Sequence, residues 1–378
     1  MTIVESIEAF ALRIPFRRAF SHASASRAST QTLWVVARGR DGSIGYGEGC
    51  PRQYVTGESL AGSRAFVAAR SAEWRSSIHD VASVRGWVEA HGPDIDRHPS
   101  AWAAVELALL DLIGKREGRT LESLLELPCL KGSFRYSAVL GDAAPADFAV
   151  QLAAYREAGF EDFKVKLIGD PVRDGAKVRA IRAAGIEPAF VRADANNLWA
   201  DASVAGAYLH ELRFPFSALE EPLRAGDFRG MRSLSSATGA TIILDESMSR
   251  VGDLQKIERD VATWVVNVRV SKMGGLVRSL HFARVARDRG VRLVIGAHVG
   301  ETSVLTRAAL ALGHAVADSV LAREGAFGTY LLVRDVVERP LVFGRGGVLD
   351  TAAVASGVAP GLGLPVMIAC SDAASIPA

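Results

Sequence analysis

Five charged side chains, Lys166, Asp194, Glu220, Asp245 and Arg269, follow one another at intervals of 28, 26, 25 and 24 residues, each near the end of a short aliphatic run. An interval of that length holds one strand and one helix. If the strands are parallel neighbours, all five side chains meet at one end of the sheet although they lie far apart in sequence. Asp194, Glu220 and Asp245 then form a trio of carboxylates. Such a trio repels itself unless a hard cation sits within it, and an all-oxygen donor set favours Mg²⁺, with Mn²⁺ possible, over zinc. The competing expectation, a helix cap or a surface pair with arginine, suits one carboxylate better than three on consecutive strands.

Lys164 and Lys166 flank Val165 in the stretch Phe163-Lys164-Val165-Lys166-Leu167. On a strand, alternate side chains share a face, so both ammonium groups point the same way. The apolar neighbours mark a buried strand rather than an edge strand carrying a solvated lysine pair. Two ammonium groups held close depress each other's pKa, and a nearby dication depresses them further. A lysine neutral near pH 7 then becomes available as a base.

The elements that must place these residues are legible in the hydrophobic pattern. From Phe134 onward apolar strands alternate with Ala-, Arg- and Leu-rich helical segments, with strands expected at 134–140, 162–167, 189–194, 216–220, 241–245, 263–270, 291–297 and 319–324. Eight βα units close a barrel. Residues 1 to about 60 alternate in strand fashion and turn at Asp41-Gly42. A helical block follows, clearest from Ser100 to Lys115, where Trp102, Val105, Leu109 and Leu112 recur at helical spacing, and it is expected to pack against that sheet. Short glycine-punctuated strands end the chain, at Phe343-Gly344-Arg345-Gly346-Gly347 and Gly361-Leu362-Gly363. The expected fold is α/β: a TIM-type (β/α)7-8 barrel over 129–330, with an α+β capping domain formed by residues 1–128 and a returning C-terminal segment, 331–378.

Composition narrows the partners. The 44 basic and 42 acidic residues leave a net charge of +2 and are scattered, so no strong field points toward nucleic acid or an anionic membrane. No window of about 18 uninterrupted apolar residues appears, and the N-terminus lacks the basic and apolar regions of a signal peptide. A cytoplasmic protein is expected, with no membrane or nucleic-acid partner. Cys50, Cys129 and Cys370 are odd in number, far apart and without metal-ligand spacing, which reads as three free thiols.

Further stretches surround the charged positions: Asp194-Ala-Asn196-Asn-Leu-Trp199, Leu219-Glu220-Glu221-Pro222, Leu244-Asp245-Glu246-Ser247 and Ser271-Lys272-Met-Gly-Gly275. Toward the N-terminus lie Gly45-Tyr-Gly-Glu48, Thr56-Gly-Glu-Ser59 and Val105-Glu-Leu-Ala-Leu-Leu-Asp111. With Lys-x-Lys on the second barrel strand, these motifs make a chain that resembles the enolase superfamily, in its mandelate racemase/muconate lactonizing enzyme subgroup, along nearly its whole length. The resemblance implies a Mg²⁺-dependent enzyme acting on a small-molecule carboxylate, and homo-oligomers are common among such proteins. It makes Asp194, Glu220 and Asp245 the metal ligands and Lys166 the base that removes the proton α to the carboxylate. Lys164 tunes Lys166 and binds that carboxylate, while Asn196 and Glu246 support the ligands. The physical logic holds independently, because an enediolate carries charge on two oxygens that a metal and ammonium groups stabilise where it develops.

The chain departs from the subgroup at the sixth strand, where Arg269 stands in place of a second lysine. Lys272 lies three residues further on, past the strand. Arginine stays protonated, so it is no ordinary general base. Two outcomes follow. In the first, Arg269 is a fixed cation and Lys166 performs every proton transfer on one face, giving a cycloisomerase or lyase of the muconate cycloisomerase, dehydratase or o-succinylbenzoate synthase kind. In the second, His298 at the end of the seventh strand supplies the opposite base of a racemase or epimerase, kept neutral by Arg269, although the carboxylate that partners such a histidine is missing where Arg269 stands. The plainer expectation for His298 is a polar residue, satisfied by hydrogen bonds, lining the site. Glu301 either contacts substrate or donates a proton, or it opens a helix. Phe20, Ser21, His22, Arg52 and Tyr54 fall on the two loops that cap the barrel in this superfamily, with His22 and Arg52 hinting at a polar or anionic distal group or a solvated loop. A third reading, from another class, is a non-catalytic relative that binds a carboxylate as a sensor or scaffold.

Overall fold

The structure, a computed structural model, describes residues 2–22, 25–257, 259–353 and 359–367, without the side chains of residues 21–26 and 353. Near the N-terminus, β1 (Val4–Leu12), β4 (Thr32–Gly39) and β5 (Ile44–Gly49) form an antiparallel sheet in the order β1-β4-β5, while β2 (Pro15–His22) and β3 (Ala25–Ser29) pair as a separate ribbon. Helices α1 (Leu60–Ser77), α2 (Val81–Ala90) and α3 (Pro99–Glu117) complete the cap. Strand β5 places Gly45, Gly47 and Gly49 on one face, and α3 lies directly on it. A Cβ at these positions would stand 2.0, 1.9 and 2.0 Å from the carbonyl oxygens of Ala108, Ala104 and Ser100. The three acceptors recur every four residues, so one ridge of small side chains on the helix meets one glycine face of the strand.

The barrel sheet holds eight parallel strands in chain order: β7 (Ala138–Leu140), β8 (Phe163–Lys166), β9 (Val191–Asp194), β10 (Ala218–Glu220), β11 (Thr241–Leu244), β12 (Trp264–Val268), β13 (Arg292–Ile295) and β14 (Val320–Arg323). Its outer strands come together where the Ser137 N–H donates to the Arg323 carbonyl at 2.8 Å. The expected strand at 134–140 is two pieces. Residues Ser133–Arg135 form β6, which pairs antiparallel with β15 (Val348–Asp350), and only Ala138–Leu140 joins the barrel. The chain changes partner between them, since the Tyr136 N–H donates to Gly347.

Register aligns the strand ends: Lys166 pairs with Asp194, and Asp194 with Glu220. Inside the barrel Ala218, Ile243, Val265, Val294 and Ala322 form one apolar cluster. Helices α4 (Pro145–Glu157), α5 (Pro171–Ala183), α6 (Ala202–Leu212), α7 (Phe228–Thr238), α8 (Leu276–Asp288) and α9 (Ser303–Ala315) follow strands in the βα pattern.

Two buried carboxylates join cap to barrel. Glu48, in β5, accepts from the Thr302 backbone N–H at 3.1 Å and its hydroxyl at 2.6 Å, at the start of α9. Glu106, in α3, accepts from the Val277 N–H at 3.0 Å, at the start of α8. Both use orphan N–H groups at a helix N-terminus. The C-terminal segment returns to the cap, where Leu362 N–H donates to Asp111 and Gly361 bridges Thr120. Cys50 and Cys129 are free thiols, and Cys370 lies outside the described residues. Among the described residues no helix is long and apolar enough to cross a membrane.

Candidate active site

The trio stands at the C-terminal ends of neighbouring strands. Asp194 and Glu220 close β9 and β10, Asp245 follows β11, and all three are buried. Lys164 and Lys166 reach them from β8. Lys164 Nζ lies 2.8 Å from Asp194, 2.6 Å from Glu220 and 2.9 Å from Glu324. Lys166 Nζ donates to Asp194 Oδ2 at 2.6 Å and to Asn196 Oδ1 at 2.7 Å. Arg269, just beyond β12, pairs with Asp245 and lies 3.6 Å from Glu220.

Several side chains with no role foreseen hold this frame. Asn267 donates to Glu220 at 3.0 Å. Lys272 is buried and donates to Asp245 Oδ1 and to the carbonyls of Asp245, Met248 and Asn267, so it fixes the turn that carries a carboxylate of the trio. Glu221 accepts from the Asp245 and Ser247 backbone N–H groups, both at 2.7 Å. Lys177 donates to the Lys166 carbonyl at 2.8 Å, steadying the strand end that bears the base. Left-handed backbone at Asn196, Asn197 and Glu221, with φ of 47°, 60° and 37°, marks the turns after β9 and β10 as strained.

Charge in this pocket is unevenly shared. Burial works to raise Asp194, yet Lys164 and Lys166 outweigh it and hold the carboxyl well below its ordinary value. Asp245 is likewise lowered against burial, by Arg269 and Lys272. Glu220 rises to about 7, because burial and the fields of Asp194, Glu324 and Asp245 exceed the help from Lys164. Glu246 rises to about 8 through burial, then Asp245 and Glu221. Burial would lower Lys164, but Asp194, Glu220 and Glu324 more than reverse that. The expected depression of the lysine pair therefore does not hold for Lys164 among these carboxylates alone.

The residues fit a hard divalent cation. Their donors are all oxygen, they stand on three consecutive strand ends, and Glu246 beside them has a buried Oε2 with no hydrogen-bond partner among the described residues. Asp194, Glu220 and Asp245 would hold Mg²⁺, which when bound would supply charge stabilisation to a substrate carboxylate.

The cavity above is lined by Lys164, Lys166, Asn196, Glu246, Arg269 and His298, with Phe20, Tyr54, Tyr155, Phe327 and Tyr330 toward its mouth. His298 is 3% exposed, and neither ring nitrogen has a hydrogen-bond partner among the described residues, so it is not the satisfied polar residue of the plainer expectation. Burial and then Arg269 and Arg52 push its pKa well below the ordinary value, leaving the ring neutral. A carboxylate does stand beside it: Glu301 Oε1 lies 3.4 Å from Nδ1 and accepts from the His298 backbone N–H at 2.7 Å.

Arg52 is buried away from the cavity lining, its guanidinium donating to the carbonyls of Thr30, Gln31, Pro51 and Val299. It clamps loops rather than facing an anionic distal group. Tyr54 lines the cavity, and the side chain of His22 lies outside the described residues. Glu324, at the end of the eighth strand, binds Lys164 and also Arg192 Nη1 at 2.9 Å. The strand-end spacing would have reached it had the count continued one βα unit past His298.

A family model described as enolase C-terminal domain-like matches residues 147–367. A hydrophobic dipeptide epimerase of Enterococcus faecalis is 26% identical over 320 residues, covering 82% of this chain and 87% of that one. A chloromuconate cycloisomerase of Cupriavidus pinatubonensis is 27% identical over 296 residues, covering 76% and 78%. Among solved structures, a dipeptide epimerase from Enterococcus faecalis complexed with Mg and the dipeptide L-Leu-L-Tyr superposes with a TM-score of 0.83 at 24% identity, covering 96% of this chain and 99% of that one.

Proposed function

The chain belongs to the enolase C-terminal domain-like family and is an enzyme of the enolase superfamily, and from that premise we propose that it interconverts the two configurations at the α-carbon of a small carboxylate. The observation that carries the reading is His298. A buried neutral imidazole, with no hydrogen bond to either nitrogen among the described residues, lines the same cavity as Lys166, from the seventh strand against the second. A proton removed from one face by one group can be returned to the other face by the other.

In this mechanism Lys164, together with the cation that the trio would hold, would bind the substrate carboxylate, while Arg269 supplies permanent positive charge as the enediolate develops. His298, neutral as it rests, takes the α-proton of one stereoisomer and the Lys166 ammonium donates to the opposite face; in the reverse reaction Lys166 is the base and the His298 imidazolium the donor. The turn built by Lys177 and the Asn196 bond hold the Lys166 ammonium at the strand end. Phe20, Tyr155, Phe327 and Tyr330 suit a substrate whose distal part is apolar, in keeping with an acylated amino acid or a dipeptide.

Turnover in deuterated water provides the test. His298→Asn is expected to abolish interconversion while one stereoisomer still exchanges its α-proton, and Lys166→Ala to abolish exchange of that same isomer. Undiminished interconversion in His298→Asn would rule the reading out. Arg269 favours a second reading, a one-face cycloisomerase or lyase in which Lys166 acts alone; there His298→Asn leaves turnover intact and Lys166→Ala removes it.

A further inference from the structure

Beside the trio, and sharing no residue with it, stands a second group of ligand-type side chains. Cys50 Sγ, a ring nitrogen of His298 and a carboxylate oxygen of Glu301 all lie within 4.8 Å of one another. They come from two parts of the fold: Cys50 directly follows β5, whereas His298 and Glu301 belong to the turn between β13 and α9. The Cys50 backbone is fixed by its N–H donating to Ser271 Oγ at 2.8 Å. Both ring nitrogens of His298 are buried with no hydrogen-bond partner among the described residues, Glu301 Oε1 standing 3.4 Å from Nδ1, an arrangement that leaves lone-pair capacity unused.

We infer that Cys50, His298 and Glu301 form a second cation site, suited to a borderline-soft dication such as Zn²⁺ and distinct from the all-oxygen trio. Thiolate, imidazole and carboxylate are the donor types of zinc sites, and three protein ligands leave a fourth position open. Of the three, His298 also lines the reaction cavity. Thiolate and carboxylate bring two negative charges, which neutralise a dication placed near Arg52 and Arg269 and so lessen the cost of burying it. Binding is a proton-for-metal exchange. The thiol S–H bond breaks, its proton leaves to solvent, bonds to sulfur, nitrogen and oxygen form, and no electrons change owner.

Occupation would have a chemical consequence. A metal bound to the imidazole removes the lone pair with which His298 accepts a proton, so a zinc-type ion would switch interconversion off while the trio keeps its own metal. This consequence, unlike the binding itself, rests on the role proposed above for His298.

Co²⁺ is the probe, added to the full chain already saturated with Mg²⁺. A thiolate-to-cobalt charge-transfer band is expected, saturating at one equivalent, displaced by Zn²⁺ and lost in Cys50→Ser. The Cys129→Ser/Cys370→Ser double variant leaves Cys50 as the sole thiol and should keep the band whatever the folding of Cys50→Ser. Absence of the band in the wild type, or its loss in the double variant, overturns the site. Zn²⁺ should abolish interconversion by the wild type and spare it in Cys50→Ser. Inhibition equal in both would overturn the switch and assign the inhibition to the trio, with the band still reporting on the site itself.

Discussion

Arg269 sets the character of the site at the scale of single residues. A lysine there would trade protons; an arginine, buried and paired with Asp245, cannot, so its contribution is fixed positive charge. Arg269→Met is expected to lower kcat about 10²- to 10³-fold, the loss typical of one oxyanion-stabilising group, and Arg269→Lys to recover part of it, in steady-state kinetics at saturating Mg²⁺. An unchanged kcat in Arg269→Met would remove the residue from the mechanism. The trio and the lysine pair were readable because strand ends recur at even spacing, and the same rule led to Arg269 and His298. Glu301 as the neighbour of His298, and Lys272 as the support of Asp245, were not readable. Both depend on how a turn folds back after the strand, which spacing does not encode.

Among the elements, β5 and α3 show how little side chain a close contact needs. Gly47→Ala would place a methyl 1.9 Å from the Ala104 carbonyl oxygen, so the helix must lift from the strand. A loss of about 1–3 kcal/mol is expected, as for overpacking generally, read as a lower urea midpoint; Gly86→Ala, where nothing lies within 4 Å, serves as the open-space control and should not fall. Equal midpoints for wild type and Gly47→Ala would show that the contact yields freely. The alternation in Ile44-Gly-Tyr-Gly-Glu-Gly49 announced a strand and the helix was expected on that sheet, but nothing announced that the glycines would be its seat. Periodicity in α3 picked out Trp102, Val105, Leu109 and Leu112, whereas the helix is buried all round from Pro99 to Gly114 and uses its Ser and Ala positions against the glycines. The break between β6 and β7 was hidden because one strand-like run, 134–140, spans both pieces, and only their partners differ.

For the molecule as a whole, the junction of cap and barrel carries a pH signature. Burial lifts Glu48 from 4.5 to about 8, against the opposing hydrogen bonds from Thr302. Between those values the folded chain keeps a proton that the unfolded chain has released, so this group's contribution to stability falls as pH rises, with a slope approaching about 1.4 kcal/mol per pH unit. Glu48→Gln should flatten the stability profile across pH 4.5 to about 8 by that share, measured by urea unfolding at several pH values; parallel profiles would refute it. Glu48 and Glu106 fasten the glycine-seated sheet and helix to the barrel, whereas the β2–β3 ribbon meets the segment after the last barrel strand, through the Arg17 N–H to the Leu331 carbonyl and the Phe16–Leu332 bridge. Phe20 on that ribbon nevertheless reaches the mouth of the cavity. Inheritance can therefore treat the two unequally: the bolted wall tolerates little drift without losing the fold, while a short exchangeable ribbon gives natural selection, or a protein engineer, a separate place to rewrite substrate range and leave the proton chemistry untouched.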